Sequence, residues 1–455
     1  MLKPFYLARW TSLCAALFTL WGLPQLLIAA ENEPAKYIGP GSCAATSCHG
    51  SVKPVPDSRI LQNEYSTWII KDKHSKAYQA LTGDVGERMA RILKLGSKAE
   101  DAPKCLACHA LYTKPEQRGR AFEIADGVSC ENCHGPSSAW LGRHTERNWT
   151  HEQSVALKME DTRNVIHRTE KCLECHLGSQ NRFVDHEMIA AGHPDLYFEL
   201  DSFSAVEPRH WKTPRESAPE KPVEGGTWNG VRDWSTGQAV QLRASLERLS
   251  WRAKGERYDQ KDVWPEYAEL SCFACHHALL PAKDSWRQAH EFPGRQPGDP
   301  AWNESRYVVF RLLAKQVDPA AAQELDKHLA TLASTMSTLN PDRAAVASEA
   351  SLAAPIAQRM AEHLAAMPYD QDLTLRMLQQ ITSDAENISL ADERAAEQAT
   401  MAIDSLYIAY SKETKPKNVD EVRSAINGLF QQLENPSSYN ADQFAAALRR
   451  LHGML

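Results

Sequence analysis

The chain has 455 residues, of which 43% are hydrophobic and 24% are charged, as in an ordinary globular protein. Its formal net charge is −7, which argues against nucleic acid as a partner, because phosphate backbones are bound by an excess of basic residues. A chain of this length is expected to fold into two or three domains.

Residues 1–30 have the features of a secretory signal peptide. Lys3 and Arg9 provide a positive start, an apolar stretch follows, and Ile28-Ala29-Ala30 resembles a small-residue cleavage site. An uncleaved membrane anchor remains an alternative, because the apolar stretch approaches spanning length although it contains Pro24. We therefore expect a periplasmic or otherwise exported protein, either soluble or peripherally associated with a membrane.

Four segments of the mature chain carry the sequence Cys-x-x-Cys-His, and a fifth has four residues between its cysteines. In chain order the motifs are Cys43, Cys48 and His49; Cys105, Cys108 and His109; Cys130, Cys133 and His134; Cys172, Cys175 and His176; and Cys272, Cys275 and His276. This spacing is typical of c-type haem attachment, in which two thiols bond the porphyrin and the histidine binds the iron. Chance would produce on the order of 0.01 such motifs in this composition. The sequence therefore predicts five covalently attached haem c groups, with the five motif histidines as proximal ligands.

The five motifs use ten of the eleven cysteines, and the eleventh, Cys14, lies in the leader. No cysteine remains for a disulfide or for a catalytic thiol. A zinc ribbon also uses paired Cys-x-x-Cys units. A histidine follows the second cysteine every time, however, which favours haem.

Two helices are predicted between the first and second motifs. One runs from Asp57 to Leu81, with Asp57 or Ser58 as its N-cap, and the other runs from Glu87 to Leu95. His74 lies on the first of these helices, which is amphipathic and close to the first motif. We therefore predict that His74 is a distal iron ligand.

The sixth position of each iron determines its chemistry, since a second histidine there gives a low-potential electron-transfer haem and an empty position allows catalysis. Nine histidines outside the motifs lie in the haem-bearing half, enough for every iron. We expect distal ligands among His74, His144, His193, His186 and His277. The other four, His151, His167, His210 and His290, are predicted to lie at the surface or to support a ligand.

The distal candidates differ in what the local sequence allows. His144 follows His134 by only ten residues, too few to fold back easily onto the same iron, so we expect it to serve a neighbouring haem. His193 is held by a stiff backbone because Pro194 follows it. His277 directly follows a proximal histidine and could bind only an adjacent iron.

Residues 207–230 read as a loop rich in proline and glycine, followed by a predicted helix over Thr236–Lys254 and then by the fifth motif. From residue 301 onward there is no cysteine, and the sequence indicates helices. Asp318-Pro319 and Asn340-Pro341 are each predicted as an N-cap followed by a first-turn proline. An apolar stripe at helical spacing is expected to form core contacts; its members are Leu325, Leu329, Leu332, Met336 and Leu339.

Strand signals are sparse, and we predict a mostly α protein. A helix-and-loop multihaem cytochrome c domain is followed by an α-helical C-terminal domain. The expected divisions are a signal peptide (1–30), a tetrahaem domain (31–206), a linker, helix and fifth-haem segment (207–300) and a haem-free helical bundle (301–455).

Several residues around the motifs form a further pattern. They are Glu64, Trp68 and His74 after the first motif, Gly127, Val128, Glu131, Gly135 and Pro136 around the third, and His193 and Pro194 after the fourth. In these residues the chain resembles the cytochrome c-554 family over about residues 37–205. The resemblance implies a helical tetrahaem fold with closely stacked haems that serves electron transfer, in a family where one haem can lack a distal ligand. The stretched first motif, the fifth haem and the C-terminal region depart from that family.

We expect an electron-transfer protein that relays electrons between redox proteins acting as donor and acceptor. The alternative is an oxidoreductase acting on a small nitrogen or sulfur compound, such as hydroxylamine, nitrite, nitric oxide or tetrathionate, at one five-coordinate haem. The two hypotheses differ in whether one motif histidine lacks a distal partner. A docking role for residues 301–455 is compatible with both, and no feature of the sequence indicates an oligomeric state.

Overall fold

The computed structural model describes residues 34–58, 60–212, 228–257, 261–276 and 299–455. Over these ranges the regular structure is helical, and β-contacts are limited to three isolated bridges. The predicted mostly α fold is confirmed. None of the helices in these ranges combines the length and the hydropathy needed to cross a membrane. The predicted signal peptide and most of the predicted loop over residues 207–230 lie outside the described residues.

The N-terminal half consists of short helices joined by loops and 3₁₀ turns. The helices are α1 (Glu64–Lys71), α2 (Asp84–Ile92), α3 (Pro103–His109), α4 (Cys130–His134), α5 (His151–Ala156), α6 (Val165–His176), α7 (His186–Ala190) and α8 (Leu200–Val206). One small apolar cluster lies among them; it contains Leu81, Ala90, Ala99, Leu106 and Ala110.

The single helix predicted over Asp57–Leu81 is wrong. Helix α1 covers only Glu64–Lys71, and Asp72 then adopts an extended backbone with ψ of 128°. The Asp72 carboxylate accepts a hydrogen bond from the His74 backbone N–H at 2.9 Å and starts a separate 3₁₀ turn. An aspartate side chain that bonds the nearby backbone competes with helix continuation, so His74 lies on a turn instead of a long helix. The second predicted helix is present as α2, shifted three residues toward the N-terminus.

The remaining helices are longer. They are α9 (Asn229–Ala253), α10 (Cys272–Cys275), α11 (Ser305–Val308), α12 (Phe310–Val317), α13 (Pro319–Met336), α14 (Arg343–Ala366), α15 (Gln371–Ser383), α16 (Ala385–Ala391), α17 (Glu393–Thr414), α18 (Val419–Leu433) and α19 (Ala441–His452). The helix predicted over Thr236–Lys254 is therefore confirmed and begins seven residues earlier. The helical character predicted for residues 301–455 is also confirmed.

Helix α9 is the centre of the main core. It packs against α14 on one side and against α6, α8 and α17 on others. Trp234, Leu242, Leu246 and Leu249 on this helix are fully buried. A helix with buried residues all round must be covered on every side. One continuous apolar cluster consequently extends from α6 and α8 to α19, across the predicted divisions at residues 206 and 300.

Several helix starts in the C-terminal region are capped by an aspartate side chain. Asp318 accepts a hydrogen bond from the Ala321 N–H at 3.0 Å, with Pro319 in the first turn, as predicted. The start predicted at Asn340-Pro341 is wrong by two residues. The cap is Asp342, whose carboxylate accepts from the Ala345 N–H at 2.9 Å.

The apolar stripe of α13 supports a first prediction. Leu329 is fully buried, whereas Leu339, predicted as part of the same stripe, is 86% exposed because α13 ends at Met336. We expect Leu329→Ala to lower the free energy of unfolding by about 2–5 kcal/mol, since it leaves a cavity in a packed core. Leu339→Ala removes the same atoms and should change that free energy by less than about 0.5 kcal/mol. Urea unfolding followed by far-UV circular dichroism measures both, and equal effects would contradict this helix boundary.

Candidate haem sites

The local backbone explains how each regular motif presents its cysteines. The second and fourth motifs end helices α3 and α6, the third forms α4, and the cysteines of the fifth form α10. Residues three apart lie on one face of a helix, so the two thiols of each motif face the same way. In the stretched first motif, the Cys48 N–H bonds the Ala45 carbonyl at 2.8 Å and the His49 N–H reaches the Cys43 carbonyl at 3.3 Å. This turn absorbs the two extra residues.

Four of the five motif histidines face a second histidine at one characteristic separation. Two imidazoles bound at about 2.0 Å to the same iron from opposite sides have ring centroids roughly 6.3 Å apart. The observed pairs are His49 with His144 (6.3 Å, ring planes at 8°), His109 with His193 (6.3 Å, 87°), His74 with His176 (6.2 Å, 86°) and His186 with His276 (6.3 Å, 28°). The residues therefore fit haem, and each pair joins a motif histidine to one of the predicted distal candidates.

The pairs also show how the chain crosses between motifs. His74 lies closest in sequence to the first motif but pairs with the fourth, and His144 serves the first motif instead of its neighbour His134. His193 and His186 follow the fourth motif but pair with the second and the fifth. The last candidate, His277, lies outside the described residues.

Hydrogen bonds at Nδ1 orient five of these rings. Their partners are Glu64 Oε2 for His49 (3.0 Å), Asp72 Oδ1 for His74 (3.0 Å), the Ala77 carbonyl for His109 (2.9 Å), the Pro194 carbonyl for His193 (2.7 Å) and the Leu141 carbonyl for His144. Each bond uses Nδ1 as the donor and leaves Nε2 free for an iron. The hydrogen bond to Glu64 raises the pKa of His49, and the one to Asp72 raises the pKa of His74.

Two other histidines are engaged through the opposite nitrogen. His151 Nε2 lies 2.8 Å from an Asp161 carboxylate oxygen, and His167 Nε2 lies 2.6 Å from a Glu160 carboxylate oxygen. Neither ring presents a free Nε2 to an iron. These two residues therefore make useful controls for substitutions at the paired histidines.

His134 differs from the other four motif histidines. Within the described ranges no second histidine ring faces it at the separation seen in the four pairs. Burial among the surrounding protein groups lowers the pKa of His134 to about 4, and the neighbouring His210 acts in the same direction. The neutral imidazole is the form that binds a metal. His134 can therefore serve as a proximal ligand, and no described histidine is positioned opposite it.

The third motif is held rigidly despite this open position. The buried Glu131 carboxylate accepts hydrogen bonds from the N–H groups of Ile38 (3.1 Å), Gly39 (2.8 Å) and Ser137 (2.8 Å). Gly135 has φ of +79°, and a Cβ there would lie 2.6 Å from the Lys158 carbonyl oxygen. A glycine is thus required directly after His134, both for its backbone conformation and for space.

The cysteines show which motifs are neighbours. The thiols of Cys43 and Cys130 are close enough to interact, and so are those of Cys108 and Cys175. The Cys133 thiol is also close enough to Cys172 for the two to interact. His186 and His193 lie on one short segment that reaches both the fifth and the second motif. The attachment points therefore follow the spatial order first, third, fourth, second, fifth.

A buried network of charges connects the fifth motif to helix α9. The Glu269 carboxylate accepts from Arg248 Nε at 2.7 Å, from Arg248 Nη2 at 2.8 Å and from Arg252 Nη1 at 2.7 Å. Glu266, just before it, accepts from the His186 N–H at 3.0 Å. All four charged residues are less than 9% exposed. This network was not predicted from the sequence, although two arginines one turn apart among the apolar residues of α9 are a signal for it.

A second ion-pair group joins the segment of His186, whose ring faces the fifth-motif histidine, to the second motif. Asp185, the N-cap of α7, pairs with Lys104 at 3.0 Å and with Arg257 at 3.1 Å. Lys104 directly precedes Cys105. The second and fifth motifs, which come last in the spatial order of attachment points, are therefore linked by the ion pairs of Asp185.

Comparisons with known proteins relate part of this chain to cytochromes. Residues 42–135, which hold the first three motifs, match the family model described as cytochrome c554 and c-prime. The curated relative cytochrome c-554 of Nitrosomonas europaea is 28% identical over 179 residues, an alignment covering 36% of this chain and 65% of the relative. The chain thus spans just under two thirds of that protein. No solved structure matches.

Proposed function

Because residues 42–135 match the family model described as cytochrome c554 and c-prime, we propose that the chain is an exported five-haem cytochrome that relays electrons between redox proteins. The observation that carries this proposal is the set of four histidine pairs with centroids 6.2–6.3 Å apart. An iron with two histidine ligands has no position for a substrate and is suited to one-electron transfer. Bound haem supplies the redox chemistry, and the chain fixes its ligands and surroundings.

The arrangement of the attachment points suits a relay. Covalent thioether bonds prevent loss of the haem, and the adjacent motifs form one continuous order from the first to the fifth. Electrons would enter and leave at the two ends, near His49 and near His276. The network around Glu269 and the pairs around Asp185 hold the far end in a fixed geometry, and fixed geometry keeps the distances between neighbouring haems constant.

A second candidate function rests on His134. This motif histidine has no histidine partner among the described residues, so its iron would have an open sixth position. An open position would allow a small nitrogen or sulfur compound to bind, with the four paired haems supplying or removing electrons. In the spatial order of the attachment points, the third motif lies between the first and the fourth. A haem there could exchange electrons with both neighbours.

Haem content and spin state test the two candidates. A haemochrome assay should give five haems per chain, and clearly fewer would contradict the five-haem proposal. Electron paramagnetic resonance (EPR) of the oxidised protein should show four low-spin haems. A high-spin fifth component that responds to nitric oxide or hydroxylamine would favour the second candidate, whereas an entirely low-spin spectrum would contradict it.

A further inference from the structure

Arg306 in helix α11 is a buried cation without a counterion of its own. Arg306 is only 7% exposed to solvent. Its one hydrogen bond to the described residues runs from Nη2 to the Leu196 carbonyl at 3.3 Å, and its Nε has no partner among them. Burying a guanidinium without an anion is costly, so buried charges are normally paired.

The acids closest to Arg306 are already engaged. Glu269 is shared between Arg248 and Arg252, and Asp195 pairs with Arg394 at 3.2 Å. The charged groups that act on Arg306 are these two acids together with Arg248 and Arg394. Burial, reinforced by the charge of Arg248, lowers the pKa of Arg306 to about 10. Each of these two acids therefore already pairs with another arginine, and neither forms an ion pair with Arg306.

Two haem-binding segments flank this arginine. Leu196, which accepts its hydrogen bond, lies three residues after His193, and Glu269 lies three residues before Cys272. Backbone bonds hold α11 close to the second of these segments, since the Ser271 N–H bonds the Ala301 carbonyl at 2.8 Å and the Asn303 N–H bonds the Glu269 carbonyl at 2.9 Å. An anion carried by a haem at either segment could reach Arg306.

We propose that Arg306 binds a propionate carboxylate of one of these two haems, either the haem on Cys272 and Cys275 or the haem of His109 and His193. A planar guanidinium matches a carboxylate well, because two N–H groups can bond two oxygens side by side. The inference rests on the proposed function, since it takes haem to be present at these motifs. If Arg306 binds a propionate, the helical region over residues 301–455 directly influences the midpoint potential of a haem.

The electrostatic consequence has a clear direction. Reduction adds an electron to the haem, and a nearby positive charge favours the reduced state. Arg306→Gln should therefore lower the midpoint potential of one low-spin haem and leave the others in place. Arg306→Lys keeps the charge but loses the paired geometry, so we expect a smaller decrease. Arg311→Gln is the control, because Arg311 is a nearby partly buried arginine that already pairs with Asp384, and it should leave all midpoints unchanged.

Redox titration monitored by EPR distinguishes the two sources of the propionate. The ligand planes of the His109 haem lie at 87° and those of the His276 haem at 28°, and nearly perpendicular ligand planes give low-spin ferric haem a larger maximum g value. The large-g class also contains the His74–His176 pair at 86°, and the other class also contains the His49–His144 pair at 8°, but neither of these pairs belongs to a segment that flanks Arg306. A shift confined to the large-g class therefore assigns the propionate to the His109 haem, and a shift in the other class assigns it to the Cys272 haem. Unchanged midpoints in Arg306→Gln would overturn the proposal.

A measurement on the unaltered protein covers the case in which Arg306→Gln fails to fold. In a crystal structure of the haem-loaded chain, an Arg306 nitrogen within about 3.2 Å of a propionate oxygen would support the proposal. Bonds only to chloride, water or protein groups would overturn it. The haemochrome assay counts the haems independently of Arg306. A count of four haems would contradict the five-haem proposal, and contact between Arg306 and a propionate of the His109 haem could still be tested.

Discussion

Replacing His144 by alanine should convert one haem from low spin to high spin. His144 faces His49 at 6.3 Å with nearly parallel ring planes, and its Nδ1 bonds the Leu141 carbonyl, so its Nε2 is the group available to the iron of the first motif. Without the imidazole, that iron keeps only His49 from the chain and gains an open position. The reduced variant should bind one more carbon monoxide per chain than the unaltered protein, and its oxidised EPR spectrum should lose one low-spin signal.

His151→Ala is the matched control for this substitution. It removes the same ring from the same part of the chain, but His151 Nε2 is held by Asp161 at 2.8 Å and is not free to bind an iron. We expect its spin state and carbon monoxide stoichiometry to equal those of the unaltered protein. If His144→Ala also left both unchanged, the pairing of His144 with the first motif would be wrong.

Replacing Glu269 by glutamine should strongly destabilise the fold. The carboxylate is almost fully buried and holds Arg248 and Arg252 through three hydrogen bonds of 2.7–2.8 Å. A neutral amide leaves two buried guanidinium groups without their counterion, which costs about 3–5 kcal/mol in comparable buried pairs. Urea unfolding of the haem-loaded protein, followed by far-UV circular dichroism, should show the decrease as a lower midpoint.

Glu386→Gln provides the comparison at the surface. Glu386 pairs with Arg449, and the two side chains are 73% and 53% exposed. Because exposed pairs contribute little, we expect a change of less than about 1 kcal/mol. Similar losses in the two variants would indicate that the Glu269 network does not behave as a buried one.

Local sequence rules predicted those helices whose boundaries depend on nearby residues. Asp318 followed by Pro319 was sufficient to locate the start of α13, because the cap and the proline act within one turn. The same reasoning failed at Asn340, where Asp342 made the better cap. It also failed at Asp72, whose carboxylate interrupts a helix that hydrophobic spacing alone would continue.

The sequence also could not show where the core lies. Helix α9 precedes the fifth motif and is predicted as the helix of the linker, helix and fifth-haem segment, yet most of its residues are buried in the main core. Its burial on all sides reflects partners more than a hundred residues away in sequence, such as α14 and α17. No pattern within α9 identifies those partners.

The sequence by itself determined the chemistry available to this protein. The motif spacing is a property of five or seven consecutive residues, so the attachment cysteines, the motif histidines and the excess of further histidines could all be read directly. The tertiary structure alone decided which histidine faces which motif, because every pair joins residues from different motif segments. His74 and His176 are separated by 102 positions in the chain and lie 6.2 Å apart in space. The same long-range folding left His134 without a described partner, and that single position separates an electron relay from a site of catalysis.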